Sequence, residues 1–155
     1  AARQDWSLAV DALRTCQRLM VIGRGVGFSI AQEAALKFKE TSGIQAEAFS
    51  SAEVRHGPMA LIDEQYPLLI FALRGAEQRG LLELADDMRK RGARVLLAAP
   101  EDIPSRDLTL SCADHPALDP ILAIQTFYVM AAHLAEARGL DPDQPRHLSK
   151  VTRTR

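Results

Sequence analysis

Within the segment EAALKFKE, Glu33, Lys37 and Glu40 are spaced so that a helix would carry all three on one stripe. At roughly 100° per residue they fall within about a 60° sector. Ile30 and Leu36 flank the stripe, Gln32 and Lys39 occupy a separate solvated sector, and Ala31, Ala34, Ala35 and Phe38 form the face that a sheet would cover. A carboxylate with a cation beside it can move a proton between neighbouring atoms and steady the charge that develops. The same spacing also makes an ordinary ladder of surface ion pairs, worth a few tenths of a kcal/mol. Residue type and spacing leave both open.

Three other places hold reactive residue types. His56 sits in EVRHGP, where Gly57 and Pro58 fix the backbone of a loop and present an imidazole suited to proton transfer near neutrality. Without context such a histidine is as readily surface decoration, as are His115 and His147, while His133 reads as a structural residue of the last helix. The polar tail carries Arg146, His147, Ser149 and Lys150. Lys150 is either a solvated charge or, if the tail folds over a cleft, an amine able to attack a sugar carbonyl. The turn Gly23-Arg24-Gly25-Val26-Gly27, with Ser29 expected at the next helix N-terminus, could offer backbone N–H groups to a phosphate or carboxylate. Its spacing is not that of dinucleotide-binding turns, and a plain tight turn is the competing reading.

Alternating elements must position these groups. An amphipathic helix is predicted over residues 6–17 after Asp5, a strand over 18–23, a helix from Ser29 to Thr41 and a strand over 44–50. SAEVRHGP reads as a short helical turn or loop, followed by a strand over 67–73, a helix over 77–91 ending at Gly92, and strands over 93–99 and 107–112. The last helix is predicted from Asp119 to Arg138, stopping at Gly139. Parallel strands need crossover connections, so this order predicts an α/β fold: a doubly wound three-layer αβα sandwich with a five-stranded parallel sheet.

At 155 residues there is room for one domain, spanning 1–155. Hydrophobic residues at 47% and charged residues at 25% are ordinary for a packed globular chain. A formal charge of −1 lacks the basic footprint of a nucleic-acid binder. Cys16 and Cys112 show neither disulfide nor metal-ligand spacing, which fits a reduced, cytoplasmic setting with no metal. No apolar stretch of bilayer length and no signal pattern is read, so no membrane is expected. The missing initial methionine suggests a piece of a longer chain.

The stretches EAALKFKETSGIQAEAFSSAEVRHGPMALID and DPDQPRHLSKVT resemble the second sugar isomerase (SIS) domain of the glucosamine-6-phosphate synthase and deaminase family, with similar order and spacing from VIGRG to LSKVT. The resemblance implies a flavodoxin-like SIS domain, the C-terminal half of a two-SIS protein, with residues 139–155 as an active-site tail. It also implies an aldose–ketose isomerisation with amination or deamination on fructose 6-phosphate or glucosamine 6-phosphate, without a cofactor. Glu40 would shuttle a proton between sugar C1 and C2 with Lys37 beside it, His56 would open the ring in a neighbouring subunit's site, Lys150 would form a Schiff base, and Glu33 would orient its neighbours. The implied partners are the phosphosugar, a first SIS half of the same chain and a second copy in a homodimer. That first half carries the family's hydroxyl-rich phosphate loop; Gly23 to Ser29 lacks those hydroxyls, leaving Gly25 and Ser29 as backbone contacts. With no glutaminase domain present, deamination or a related isomerisation is expected ahead of synthesis. A non-catalytic phosphosugar sensor is the alternative, and a flavin or nucleotide binder a weaker one.

Overall fold

Helices and strands alternate along the chain in the computed structural model, which describes residues 3–146. The order is α1 (Ser7–Leu13), β1 (Arg18–Gly23), α2 (Val26–Ser42), β2 (Gln45–Ser50), β3 (Pro67–Phe71), α3 (Gln78–Lys90), β4 (Arg94–Pro100), β5 (Leu108–Leu110) and α4 (Asp119–Ala137). The strands form one five-stranded sheet in the order β2-β1-β3-β4-β5, with every pairing parallel. Helices cover both faces of its centre, which is why β1, β3 and β4 read as continuous apolar runs.

Successive side chains of a strand point to opposite faces, and the sheet therefore feeds two cores. Leu19 and Val21 of β1, Leu69 and Phe71 of β3, and Leu96 and Ala98 of β4 enter the core shared with α1, α2 and α4. Their neighbours Met20, Ile22, Leu68, Ile70 and Leu97 enter the other, where Leu81, Leu84 and Met88 of α3 pack. Phe127 of α4 is fully buried in the first core, edge-on to Phe38 at 5.1 Å and to Phe71 at 6.3 Å.

Several boundaries differ from expectation. Helix α1 stops at Leu13 rather than 17, where backbone bonds turn the chain into β1. The α2 helix begins at Val26, not Ser29, because Gly27 and Phe28 already donate to the carbonyls of Arg24 and Gly25. Ser29 thus lies within the helix rather than at its start. The β2–β3 crossover contains two 3-10 turns, Glu53–His56 and Pro58–Leu61, in keeping with the short helical turn expected there. Only residues 101–107 link β4 to β5; Asp107 accepts from Leu97 N at 2.8 Å and from Arg89 at 2.7 Å, which secures the short return.

The segment Pro116–Ala137 is, by length and composition, long and apolar enough to cross a membrane, contrary to expectation. Its hydrophobicity has a local use: α4 packs on α1 and α2 and buries Ala123, Phe127, Met130, Ala131 and Leu134 among them.

Candidate functional site

Glycine geometry starts the helix that carries the charged stripe. A Cβ on Gly23 would lie 2.1 Å from the Gly27 carbonyl oxygen, so the chain can fold this tightly into α2 only without a side chain there. Gly25 then takes φ +54°, a region that favours glycine. From this start α2 turns Ala31, Ala34, Ala35 and Phe38 into the core and leaves Glu33, Lys37 and Glu40 on its outer side.

The three side chains meet as their spacing predicts. Lys37 Nζ stands 2.6 Å from Glu40 Oε2 and 3.7 Å from Glu33 Oε1. Each is about two-thirds covered, with exposures of 33% for Glu33, 32% for Lys37 and 27% for Glu40. The hydrogen bond to Glu40 raises the Lys37 pKa above its ordinary value, so the cation is fixed at neutral pH. From α4, the Tyr128 hydroxyl donates to Glu33 Oε1 at 2.8 Å. Burial, followed by the nearby Glu33 carboxylate, raises the Tyr128 pKa and keeps it a donor.

Beside Glu40 a cleft of about 470 Å³ opens between the end of α2 and the chain leaving α4, with Lys39, Thr41, Leu140, Gln144 and Arg146 among its walls. A pocket of this size accommodates a small polar metabolite. Lys150, His147 and Ser149 lie outside the described residues.

His56 stands elsewhere. It is exposed, and its 3-10 turn buries Val54 in the core shared with α3, while Arg55 approaches Asp87 of α3 at 3.7 Å. The sheet therefore separates His56 from α2. The two also differ in height: β2 ends level with β1 at the Gly23–Ser50 pairing, and from the helix start at Val26 the rise to Glu40 is about 21 Å. Within one chain Glu40 and His56 do not converge.

Gly25 caps α2 and Ser29 is its fourth residue, roughly 22 Å and 16 Å from Glu40 along the axis. Glu77 leans over the turn, its Cγ 3.3 Å from where a Gly25 Cβ would stand. This places a carboxylate where an anion would have to approach.

One polar cluster was not anticipated. After β3, Arg74 reaches across the sheet end to the first residue of α4, its Nε and Nη2 donating to Asp119 at 2.7 and 2.8 Å and Nη2 to the Ala113 carbonyl at 2.6 Å. Asp119 is only 2% exposed and also accepts from Ala113 N. Asp119 at the start of an apolar helix was the one available signal, and it named no partner.

Residues 12–99 match the SIS domain family. The chain is 40% identical over 135 residues to the glutamine–fructose-6-phosphate aminotransferase (isomerizing) of Gloeobacter violaceus, covering 83% of this chain and 22% of that one. It therefore spans about a fifth of the length of this curated relative. In three dimensions it is similar to a protein of Silicibacter pomeroyi described as a phosphosugar isomerase, with TM-score 0.81, 38% identity and coverage of 92% of this chain and 43% of the other. It is also similar to the C-terminal domain of glucosamine-fructose-6-phosphate aminotransferase from Francisella tularensis, with TM-score 0.77, 27% identity and coverage of 88% and 40%.

Proposed function

Because the chain belongs to the SIS domain family, we propose that it is the catalytic half of a phosphosugar isomerase that acts on fructose 6-phosphate or glucosamine 6-phosphate. The observation that carries this reading is the Lys37–Glu40 pair at 2.6 Å on the rim of a sugar-sized cleft. Relatives named as isomerizing aminotransferases and phosphosugar isomerases supply the substrate class.

In the proposed reaction the open-chain sugar lies against the outer side of α2. Glu40 removes a proton from one carbon of the C1–C2 pair and returns it to the other, and the Lys37 ammonium steadies the negative charge on the enediol-like intermediate. Glu33 orients Lys37. The Lys150 amine condenses with the ketose carbonyl, releasing water and forming a Schiff base. Ring opening falls to His56 of a second copy, since the sheet separates His56 from Glu40 within one chain. This geometry favours a homodimer with shared sites.

The phosphate is assigned to a preceding SIS half of the parent chain rather than to Gly25 and Ser29, whose distance from Glu40 exceeds the span of a six-carbon sugar phosphate. Val26, Leu36, Ile121 and Tyr128 are exposed around the ladder and offer that half an apolar landing face. The reduced thiols of Cys16 and Cys112 fit a cytoplasmic location.

The test is ammonia release from glucosamine 6-phosphate, and interconversion with fructose 6-phosphate, by the parent protein. Replacing Glu40 by Gln removes the proton acceptor without changing its shape, and the rate should fall by about 10² to 10⁴-fold. Unchanged turnover in Glu40→Gln would refute the assignment.

A further inference from the structure

Lys37 has two carboxylates to choose from on its own helix, and it has taken the less favoured one. A glutamate four residues before a lysine is the better helical pairing, because that orientation agrees with the helix dipole. Glu33 holds that position, yet its Oε1 is 3.7 Å from the ammonium, whereas Glu40, three residues on, is at 2.6 Å. The preference needs a cause outside α2.

That cause stands on α4. The Tyr128 hydroxyl donates at 2.8 Å to Glu33 Oε1, the same oxygen that faces Lys37. A carboxylate oxygen engaged by a phenol is held in place and is a weaker acceptor for a second donor. We infer that Tyr128 is a positioning residue: by occupying Glu33 it leaves the Lys37 ammonium to Glu40. Its bearing on catalysis rests on the reading of Glu40 as the proton shuttle, whereas the partition of Lys37 is a property of this chain with no substrate present.

The consequence has a sign. Without the phenol, Glu33 competes for Lys37 in the favoured orientation, and Glu40 loses part of its cation. The ammonium then shifts toward Glu33, and its 2.6 Å contact with Glu40 lengthens. Other charges facing Glu40 are Lys39, Asp141 and Arg146 around the cleft, and none of them touches Tyr128. Their contribution is common to both forms.

The experiment is a set of crystal structures of the parent protein, comparing wild type, Tyr128→Phe, Glu33→Gln and the double variant. Phenylalanine keeps the ring that packs beside Phe127, and an unchanged backbone verifies the fold. The expected result is a Lys37 ammonium moved from Glu40 to within hydrogen-bond reach of Glu33 in Tyr128→Phe, and back on Glu40 when Glu33 is already Gln. A Lys37 that stays on Glu40 in Tyr128→Phe overturns the inference, as does an equal displacement in the Glu33→Gln background. In the parent enzyme Tyr128→Phe should lower kcat and leave KM unchanged. A parent with no isomerase activity would defeat the proposed function while leaving the contacts of Lys37 to decide the role of Tyr128.

Discussion

Arg74 and Asp119 show how much one side chain can organise at the carboxyl end of the sheet. Asp119 ties the loop after β3, the strand end at Ala113 and the start of α4 to one carboxylate. Its negative charge also sits in the first turn of α4, where the helix dipole favours an anion. The Arg74 hydrogen bonds outweigh burial and hold its carboxyl below the ordinary value of 3.8. A carboxylate with a lowered folded-state pKa contributes stability above its unfolded pKa and loses that contribution as pH falls through the folded one. Asp119→Asn should therefore lower the unfolding temperature by several degrees at neutral pH, with the gap to wild type closing below pH 3.8. Thermal melts across pH measure this directly. A constant gap would mean that the charge is not what Asp119 contributes. Neither partner was legible as such, because the pair joins positions 45 residues apart. The Glu33–Lys37–Glu40 ladder was legible, since helical spacing alone brings those groups together.

At the scale of elements, apolar runs located β1, β3 and β4 because these are buried between helical layers, whereas the edge strand β2 was legible from its alternation. The start of α2 was misplaced because no side chain caps it: a backbone turn through Gly25 does the work, and Ser29 only resembled a cap. The packing of helix ends was equally hidden. Near the end of α4, Arg138 donates to the carbonyls of Arg14 and Cys16 after α1 and of Ser42 at the end of α2, at 2.7 to 2.8 Å. Carbonyls left over at helix C-termini are natural acceptors for an arginine, and here one guanidinium serves two helices. Arg138→Ala should cost about 2 kcal/mol in denaturant unfolding, with Arg138→Lys recovering only part of it because an ammonium lacks the planar fork. Truncating Phe127, which fills the space between Phe38 and Phe71, should cost about 3 to 5 kcal/mol. If Arg138→Ala proves the costlier of the two, the helix ends and not the aromatic cluster hold α4 in place.

For the whole molecule, the decisive geometry is that α2, which carries Glu40, packs on one face of the sheet, while the turn that carries His56 buries Val54 on the other. One chain cannot apply both to one sugar, so the proposed chemistry requires a second copy related by symmetry, each lending its histidine to the other. This arrangement makes a prediction that no single-chain site would satisfy. Parent protein carrying Glu40→Gln and parent protein carrying His56→Ala should each be nearly inactive. When the two are unfolded together and refolded, about half of the dimers are mixed, and each mixed dimer holds one site with both residues intact and one with neither. Activity should therefore return to about a quarter of the wild-type level. A site complete within one chain would give no recovery on mixing, because every site would still lack one residue. The same mixture also bears on the apolar face around Val26, Leu36 and Ile121: if the preceding SIS half and not the second copy covers it, substituting Ile121 by a charged residue should destabilise the parent chain without preventing the mixed dimers from forming.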